Sequence, residues 1–163
     1  MFYQSKVSTM KIFKLSILIV LLSQSVYAQN HEITAEETIL VFVRHAEKMN
    51  DGTKDPHLKK EGEQRAVSLA NLMMDRFEIS AIYSTNYHRT RETAKPLSDS
   101  LNMAIQYYGL EDPEGFMEEI LDEYSGQHVL IVGHSNTTPN LVNIVLGRQQ
   151  FEQIDESEYG NLF

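Results

Sequence analysis

The sequence predicts an α/β domain, a layered sandwich with a mostly parallel central sheet flanked by helices on both faces. Three observations predict it. The runs Thr38-Ile-Leu-Val-Phe-Val43 and Val129-Leu-Ile-Val132 are apolar and rich in β-branched residues, as expected of strands buried on both faces. Segments of helical period alternate with strand-like ones, which implies parallel strands joined by crossover helices. Each of the two runs delivers a histidine at its carboxyl end, His45 and His134, and in open α/β sheets ligands bind in the crevice beyond those ends.

Taken in order, the chain opens with a leader. Lys6, Lys11 and Lys14 precede the apolar stretch Leu15–Leu22, and Val26 and Ala28 stand at the −3 and −1 positions of a cut after Ala28. That is the layout of a signal peptide over residues 1–28. From Met10 onward the leader is complete by itself. The alternative is a membrane anchor, but the uncharged stretch Leu15–Tyr27 is shorter than the ~18–20 residues a span requires. The expected protein is exported, periplasmic or secreted, with no stable membrane association after cleavage.

Residues 29–37 form a polar lead-in, and 38–163 form the domain. Thr38–Val43 is the first strand. Asp51-Gly52 and Asp55-Pro56 mark a loop. A helix is expected over 58–77, where Ala66, Leu69, Ala70, Met73 and Phe77 make one stripe. Ile79–Ser84 reads as a strand and Tyr87–Lys95 as a helix, which Pro96 either kinks or follows with the first turn of a new one. Ala104–Tyr108 is a third strand. Pro113–Tyr124 is a helix with Phe116, Met117, Ile120, Leu121 and Tyr124 inward. After Val129–Val132, Thr137 or Thr138 offers an N-cap and Pro139 a first-turn residue for a helix ending at Leu146, with Gly147 beyond it. Glu158–Phe163 resembles the start of a further strand and reads as a C-terminally incomplete domain.

The net charge is −9, and cleavage after Ala28 would remove three lysines and no acid. Such an acidic domain argues against nucleic-acid partners and anionic membranes. With no cysteine, there are no disulfides, thiol nucleophiles or thiolate metal sites, and a hydrophobic core must hold the fold.

Three segments carry chemistry. Val43-Arg44-His45-Ala46-Glu47-Lys48 sets an imidazole beside a guanidinium, a planar donor fork suited to phosphate. Ser84 to Ala94 runs from a strand end into a helix, with Arg89 in the first turn. Cations there oppose the helix dipole, which suggests an anion between them and the helix. Arg91 and Glu92 read as a solvated charged face, and His88 as a surface residue. Gly133-His134-Ser135-Asn136-Thr137-Thr138-Pro139 supplies a second imidazole and a helix amino terminus.

In this order the segments resemble the histidine phosphatase superfamily, the phosphoglycerate-mutase-like enzymes. Arg44-His45 is similar to its Arg-His-Gly motif, with Ala46 at the glycine. Ser84–Ala94 resembles its Ser-x-x-x-x-Arg-x-x-x-Thr-Ala segment, and Gly133-His134 its second histidine. Asp55-Pro56-His57-Leu58 followed by Gly62 and Arg65-Ala66 also fits. The resemblance covers Ile39 to about Val145. It implies a phosphomonoester hydrolase in which His45 becomes a phosphohistidine and Arg44, Arg89 and His134 bind the phosphoryl group. No cofactor or metal is expected, and the partner is a small phosphomonoester. Lys59 stands where the family often has a threonine capping the first helix.

A proton donor for the leaving alcohol is assigned to Glu111, with Asp112 in reserve. They are the first carboxyls after the Ala104–Tyr108 strand, and neighbouring carboxylates raise one another's pKa. The alternative is that both merely favour the dipole of the helix that follows.

Other readings are weaker. Gly133-His-Ser-Asn-Thr137 approaches the Gly-x-Ser-x-Gly elbow of α/β-hydrolases, but no histidine follows His134 to serve Ser135. No two histidines stand at a metal-ligand spacing. A mutase would need additional segments around the pocket, and a binding module without turnover has no reason to keep Arg44, His45, Arg89 and His134 together. Substrate identity and oligomeric state are not encoded legibly.

Overall fold

The computed structural model describes residues 37–163, so the expected signal peptide and nearly all of the lead-in lie outside the described residues. Among the described residues four strands, β1 (Ile39–Arg44), β2 (Ile79–Ser84), β3 (Ile105–Tyr107) and β4 (His128–Gly133), alternate with four helices. These are α1 (Lys60–Arg76), α2 (His88–Leu101), α3 (Pro113–Glu123) and α4 (Thr137–Leu146). The strands pair in parallel in the order β1-β4-β2-β3. At its outer edge β1 makes an antiparallel bridge from Val43 to Leu162, flanked by reciprocal Phe42–Phe163 backbone hydrogen bonds.

Strand periodicity sorts the core into two layers. Val41, Val43, Ile82, Leu130 and Val132 point to one face, where Ala70 and Met73 of α1 and Ala94 and Leu97 of α2 cover them. Phe42, Ala81, Tyr83, Val129 and Ile131 point to the other, against Met117 and Ile120 of α3 and Leu141 and Val142 of α4. The strand order explains the division. From β1 to β2 to β3 the chain moves in one direction across the sheet, and from β3 it returns to insert β4. Right-handed crossovers therefore put α1 and α2 on one face and α3 on the other.

The elements depart from the sequence expectation in instructive places. Pro96 does not open a new helix, because α2 runs through it to Leu101 and turns off at Asn102, which is left-handed with φ 49°. Proline forfeits one intrahelical bond there, while Leu97 beside it is fully buried and holds the helix to the sheet. In α3, Met117, Ile120 and Tyr124 are buried, but Leu121 is 43% exposed. It falls at the margin of the stripe that the other three define.

Thr137 is inside α4, and neither it nor Thr138 caps that helix. Asn136 holds the cap position without a side-chain bond, and the Thr137 hydroxyl instead accepts from the backbone N–H of His134 at 2.9 Å. Lys59 caps α1 with no side-chain bond, as its chemistry requires. Its N–H donates to the Glu47 carbonyl at 3.0 Å. Gly62, in the first turn of α1, lies so close to that same carbonyl that an added Cβ would stand 2.2 Å from the oxygen.

Candidate active site

The topology brings the sequence-separated segments to one point. Because β4 lies between β1 and β2, with Arg44 opposite Gly133 and Ser84 opposite Val132, the next residues of all three strands emerge side by side. They are His45, His134 and Thr85. The helix after β1 goes to one face and the helix after β4 to the other, the arrangement that opens a crevice between adjacent strand ends. The His45 N–H donates to the Gly133 carbonyl at 2.9 Å, and the rings of His45 and His134 meet edge to face with centroids 5.6 Å apart.

His45 is buried, and its Nδ1 lies 2.8 Å from the Ala46 carbonyl oxygen. A carbonyl can only accept, so Nδ1 carries the proton and Nε2 keeps its lone pair. Burial pushes the His45 pKa down to about 4; the Ala46 carbonyl opposes this, and Arg44 and Arg89 add to it. The ring is therefore neutral at neutral pH. Its loop is clamped by α2, since the Ala46 N–H donates to Thr93 Oγ1 at 2.9 Å and the Thr93 hydroxyl donates to the Arg89 carbonyl at 2.7 Å. This gives the Thr-Ala pair of the second segment a physical role.

His134 lies with Nε2 2.9 Å from Thr85 Oγ1. Its pKa is also pushed down to about 4, by burial first and then by Arg89, His45 and Arg44, with Asp55 opposing. Arg89, in the first turn of α2, has its guanidinium 4.6 Å from the centre of the Tyr87 ring and Nη1 3.4 Å from Asp55 Oδ1. Arg44 is held more tightly. Its Nη1 donates to the carbonyls of Asp155 and Glu158, and Nη2 to Glu156 Oε2, each at 2.8 Å, while Tyr159 stacks 4.5 Å from the guanidinium carbon. The Nε–H groups of Arg44 and Arg89 are buried without a partner.

Glu156 and Tyr159 were not legible in the sequence. The acidic run Asp155-Glu-Ser-Glu158 stands far from every motif, and only the fold carries it back to Arg44. Ser135 donates to Glu156 Oε1 at 2.6 Å. Its hydroxyl thus meets a carboxylate and not a histidine, which removes the hydrolase-elbow reading. Hydrogen bonding from Ser135, reinforced by Arg44, holds the Glu156 carboxyl below its usual range.

The acids after β3 are not in this cluster. Asp112 caps α3 by accepting from Gly115 N–H at 3.0 Å, the dipole role that was its alternative reading. Glu111 is exposed and folds back over Gly109. Glu92 does not behave as a solvated face residue, because its Oε2 accepts from the Leu58 N–H at 2.8 Å and its Oε1 meets His57.

Residues 40–109 match the histidine phosphatase superfamily (branch 1). No curated protein matches the chain. Among solved structures it is similar to YhfR of Bacillus stearothermophilus, at 19% identity and a TM-score of 0.59, covering 75% of this chain and 86% of that one. It is similar to a phosphoserine phosphatase of Entamoeba histolytica solved with phosphoserine, at 15% identity and a TM-score of 0.56, over 69% and 81% of the two chains. It is also similar to the protein histidine phosphatase SixA solved with tungstate, at 18% identity and a TM-score of 0.56, over 64% and 74%. Identities this low establish a shared fold, and the family pattern over 40–109 coincides with the segments that build the His45 side of the cluster. Over residues 40–109, the stretch that carries Arg44, His45 and Arg89, the chain matches the histidine phosphatase superfamily.

Proposed function

We propose that this protein hydrolyses small phosphomonoesters through a phosphohistidine formed on His45. The observation that carries the proposal is the state of that imidazole, neutral with Nδ1 tied to the Ala46 carbonyl and Nε2 free. Nε2 attacks phosphorus as the bond to the alcohol oxygen breaks, and the departing oxygen takes a proton. Water then attacks the phosphohistidine and returns a proton to the group that protonated the alcohol, the P–N bond breaks, and inorganic phosphate leaves with His45 restored.

Positioning and charge stabilisation are the main tasks of such a site. Arg44, Arg89 and His134 are the groups proposed to meet the phosphoryl oxygens. The two buried guanidinium Nε–H groups without acceptors support this. A phosphoryl oxygen would satisfy donors whose isolation otherwise costs about 1–3 kcal/mol each or more. The protein's own cations supply the charge, so hydrolysis is expected to survive chelators and to be blocked by vanadate.

Glu111 remains the proposed proton donor, in a conformation swung away from Gly109, over which it now folds. β3 is parallel to its neighbours, so its carboxyl end lies on the same sheet edge as His45 and His134. Asp112 is already engaged as a cap, and Glu156 is held ionised. Phosphatases named for phosphoserine and for protein phosphohistidine among the structural neighbours agree with a hydrolytic reading. Export is proposed on the leader sequence, and no helix among the described residues is long and apolar enough to cross a membrane.

The test is His45→Ala. The wild-type protein should trap a transient phosphoryl group that is acid-labile and base-stable, and the substitution should abolish it and cut turnover by orders of magnitude without unfolding the domain. A well-folded His45→Ala protein that kept its activity would refute the proposal.

A further inference from the structure

Beside the phosphate cluster, and outside it, three ligand-type side chains converge. His57 comes from the loop between β1 and α1. His88 and Glu92 stand four residues apart at the start of α2, on one face of the helix. Each offers one nitrogen or oxygen, and these atoms lie within 4.8 Å of one another. His57 Nδ1 meets Glu92 Oε1, and His88 Nδ1 lies 4.0 Å from the same oxygen. The two imidazole rings are 4.1 Å apart, centroid to centroid.

Two further contacts look like support for a bound ion. The Leu58 N–H holds the other oxygen of Glu92 at 2.8 Å, which orients the carboxylate and leaves Oε1 towards the histidines. Such outer hydrogen bonds commonly fix the ligands of metal sites. Asp55 stands with Oδ2 4.0 Å from His88 Nε2, the ring nitrogen that does not face Glu92, and so helps to orient the imidazole. One group competes. Arg91 Nη2 approaches His88 Nδ1 at 3.0 Å, but its Nη1 already donates to Asn86 Oδ1 at 3.2 Å, so the guanidinium has a place to withdraw to.

We infer that His57, His88 and Glu92 form a binding site for one divalent transition-metal ion of the zinc type at the rim of the phosphate pocket. Two imidazoles and a carboxylate suit zinc, cobalt or nickel, whereas magnesium and calcium prefer oxygen ligands throughout. Bonds of about 2.0–2.2 Å put tetrahedral ligand atoms about 3.3–3.6 Å apart. The wider pairs must therefore close in from as much as 4.8 Å while His57 and Glu92 draw apart, with water completing the tetrahedron. The side chains of His57 and His88 are 53% and 40% exposed, so an ion can enter and the loop can adjust. Once bound, it would pin the Asp55–Leu58 loop to the helix turn that carries Arg89. The site serves as a clip and takes no part in phosphoryl transfer, so it stands or falls independently of hydrolysis.

The experiment is a titration of the tag-free, metal-stripped full chain with Zn2+ by calorimetry, repeated with Co2+ followed by its visible spectrum. The wild-type protein should bind one ion in its tightest site and gain thermal stability with Zn2+, as any ligand of the native state confers. His57→Ala, His88→Ala and Glu92→Gln should each weaken that site by at least about tenfold, since even outer-sphere losses cost that much. His57→Ala should also lose the Zn2+-dependent rise in Tm. Absence of binding below millimolar Zn2+ would overturn the inference. So would undiminished affinity in a folded His57→Ala/His88→Ala protein, which would put the ion on His45 and His134.

Discussion

The two site histidines are the residues most altered by where they sit. Both have pKa values near 4 in the folded protein, against 6.5 for a free imidazole, chiefly because burial disfavours the charged ring. Between these values the unfolded chain binds more protons than the native one, so stability should be full above about pH 6.5 and fall as pH drops towards 4. Each unit of separation is worth about 1.4 kcal/mol before the two rings' mutual coupling is counted. Urea melts at pH 7 and pH 4.5 should show this loss, and a His134→Gln variant should show less of it. Equal pH dependence in both proteins would assign the effect to carboxylates. Also at this scale, Glu111→Gln should slow hydrolysis of alkyl phosphates by about 10²–10⁴-fold while sparing nitrophenyl phosphate, whose leaving group needs no proton. Equal effects on the two substrates would move the acid elsewhere.

At the scale of elements, α1 and α2 matter as clamps on the loop behind His45. α2 does so through Thr93, which links the Ala46 N–H to the Arg89 carbonyl. Ala46 is 1% exposed, which explains why only a small residue follows the histidine. α1 does so through Gly62 against the Glu47 carbonyl, and through Arg65, whose Nε and Nη2 reach the two Glu47 oxygens at 2.9 and 2.6 Å. Gly62→Ala sets two effects against each other. Helix propensity favours alanine by about 1 kcal/mol. The new Cβ, however, would stand 2.2 Å from a backbone oxygen that cannot swing away. Overpacking of this kind costs about 1–3 kcal/mol, so the variant should be destabilised in denaturant melts. A gain in stability would mean that the loop can retreat from α1 at little cost.

At the scale of the molecule, the C-terminal segment completes the site. Ile154 is buried, Phe163 pairs with Phe42, and between them the chain offers Arg44 two carbonyls, a carboxylate and an aromatic face. Glu156→Ala should weaken vanadate binding by roughly tenfold or more, the equivalent of the 1.5–3 kcal/mol of a hydrogen bond to a charged group. An unchanged affinity would leave the orientation of Arg44 to the two carbonyls alone. The leader is testable at the same scale: protein recovered outside the cytoplasm should begin at Gln29, whereas an uncut chain in the membrane fraction would indicate an anchor.

What the sequence determined by itself was whatever local chemistry marks. Apolar β-branched runs mark β1 and β4, turn residues mark their ends, and a histidine directly after each run lands at the sheet edge where ligands collect. Arg44, His45, Arg89 and His134 were therefore legible as candidates for one cluster, and the parallel sheet and its helices on both faces were legible too. The tertiary structure alone decided the strand order, and with it the insertion of β4 beside β1 that sets the two imidazoles 5.6 Å apart. It also decided the partners that come from far along the chain. Glu156 reaches Arg44, and His57 reaches His88 and Glu92, with no signal in their own segments. Local propensity and periodicity act over a few residues. Contacts between distant segments depend on which surfaces the packed sheet leaves facing one another, and no residue advertises that alone.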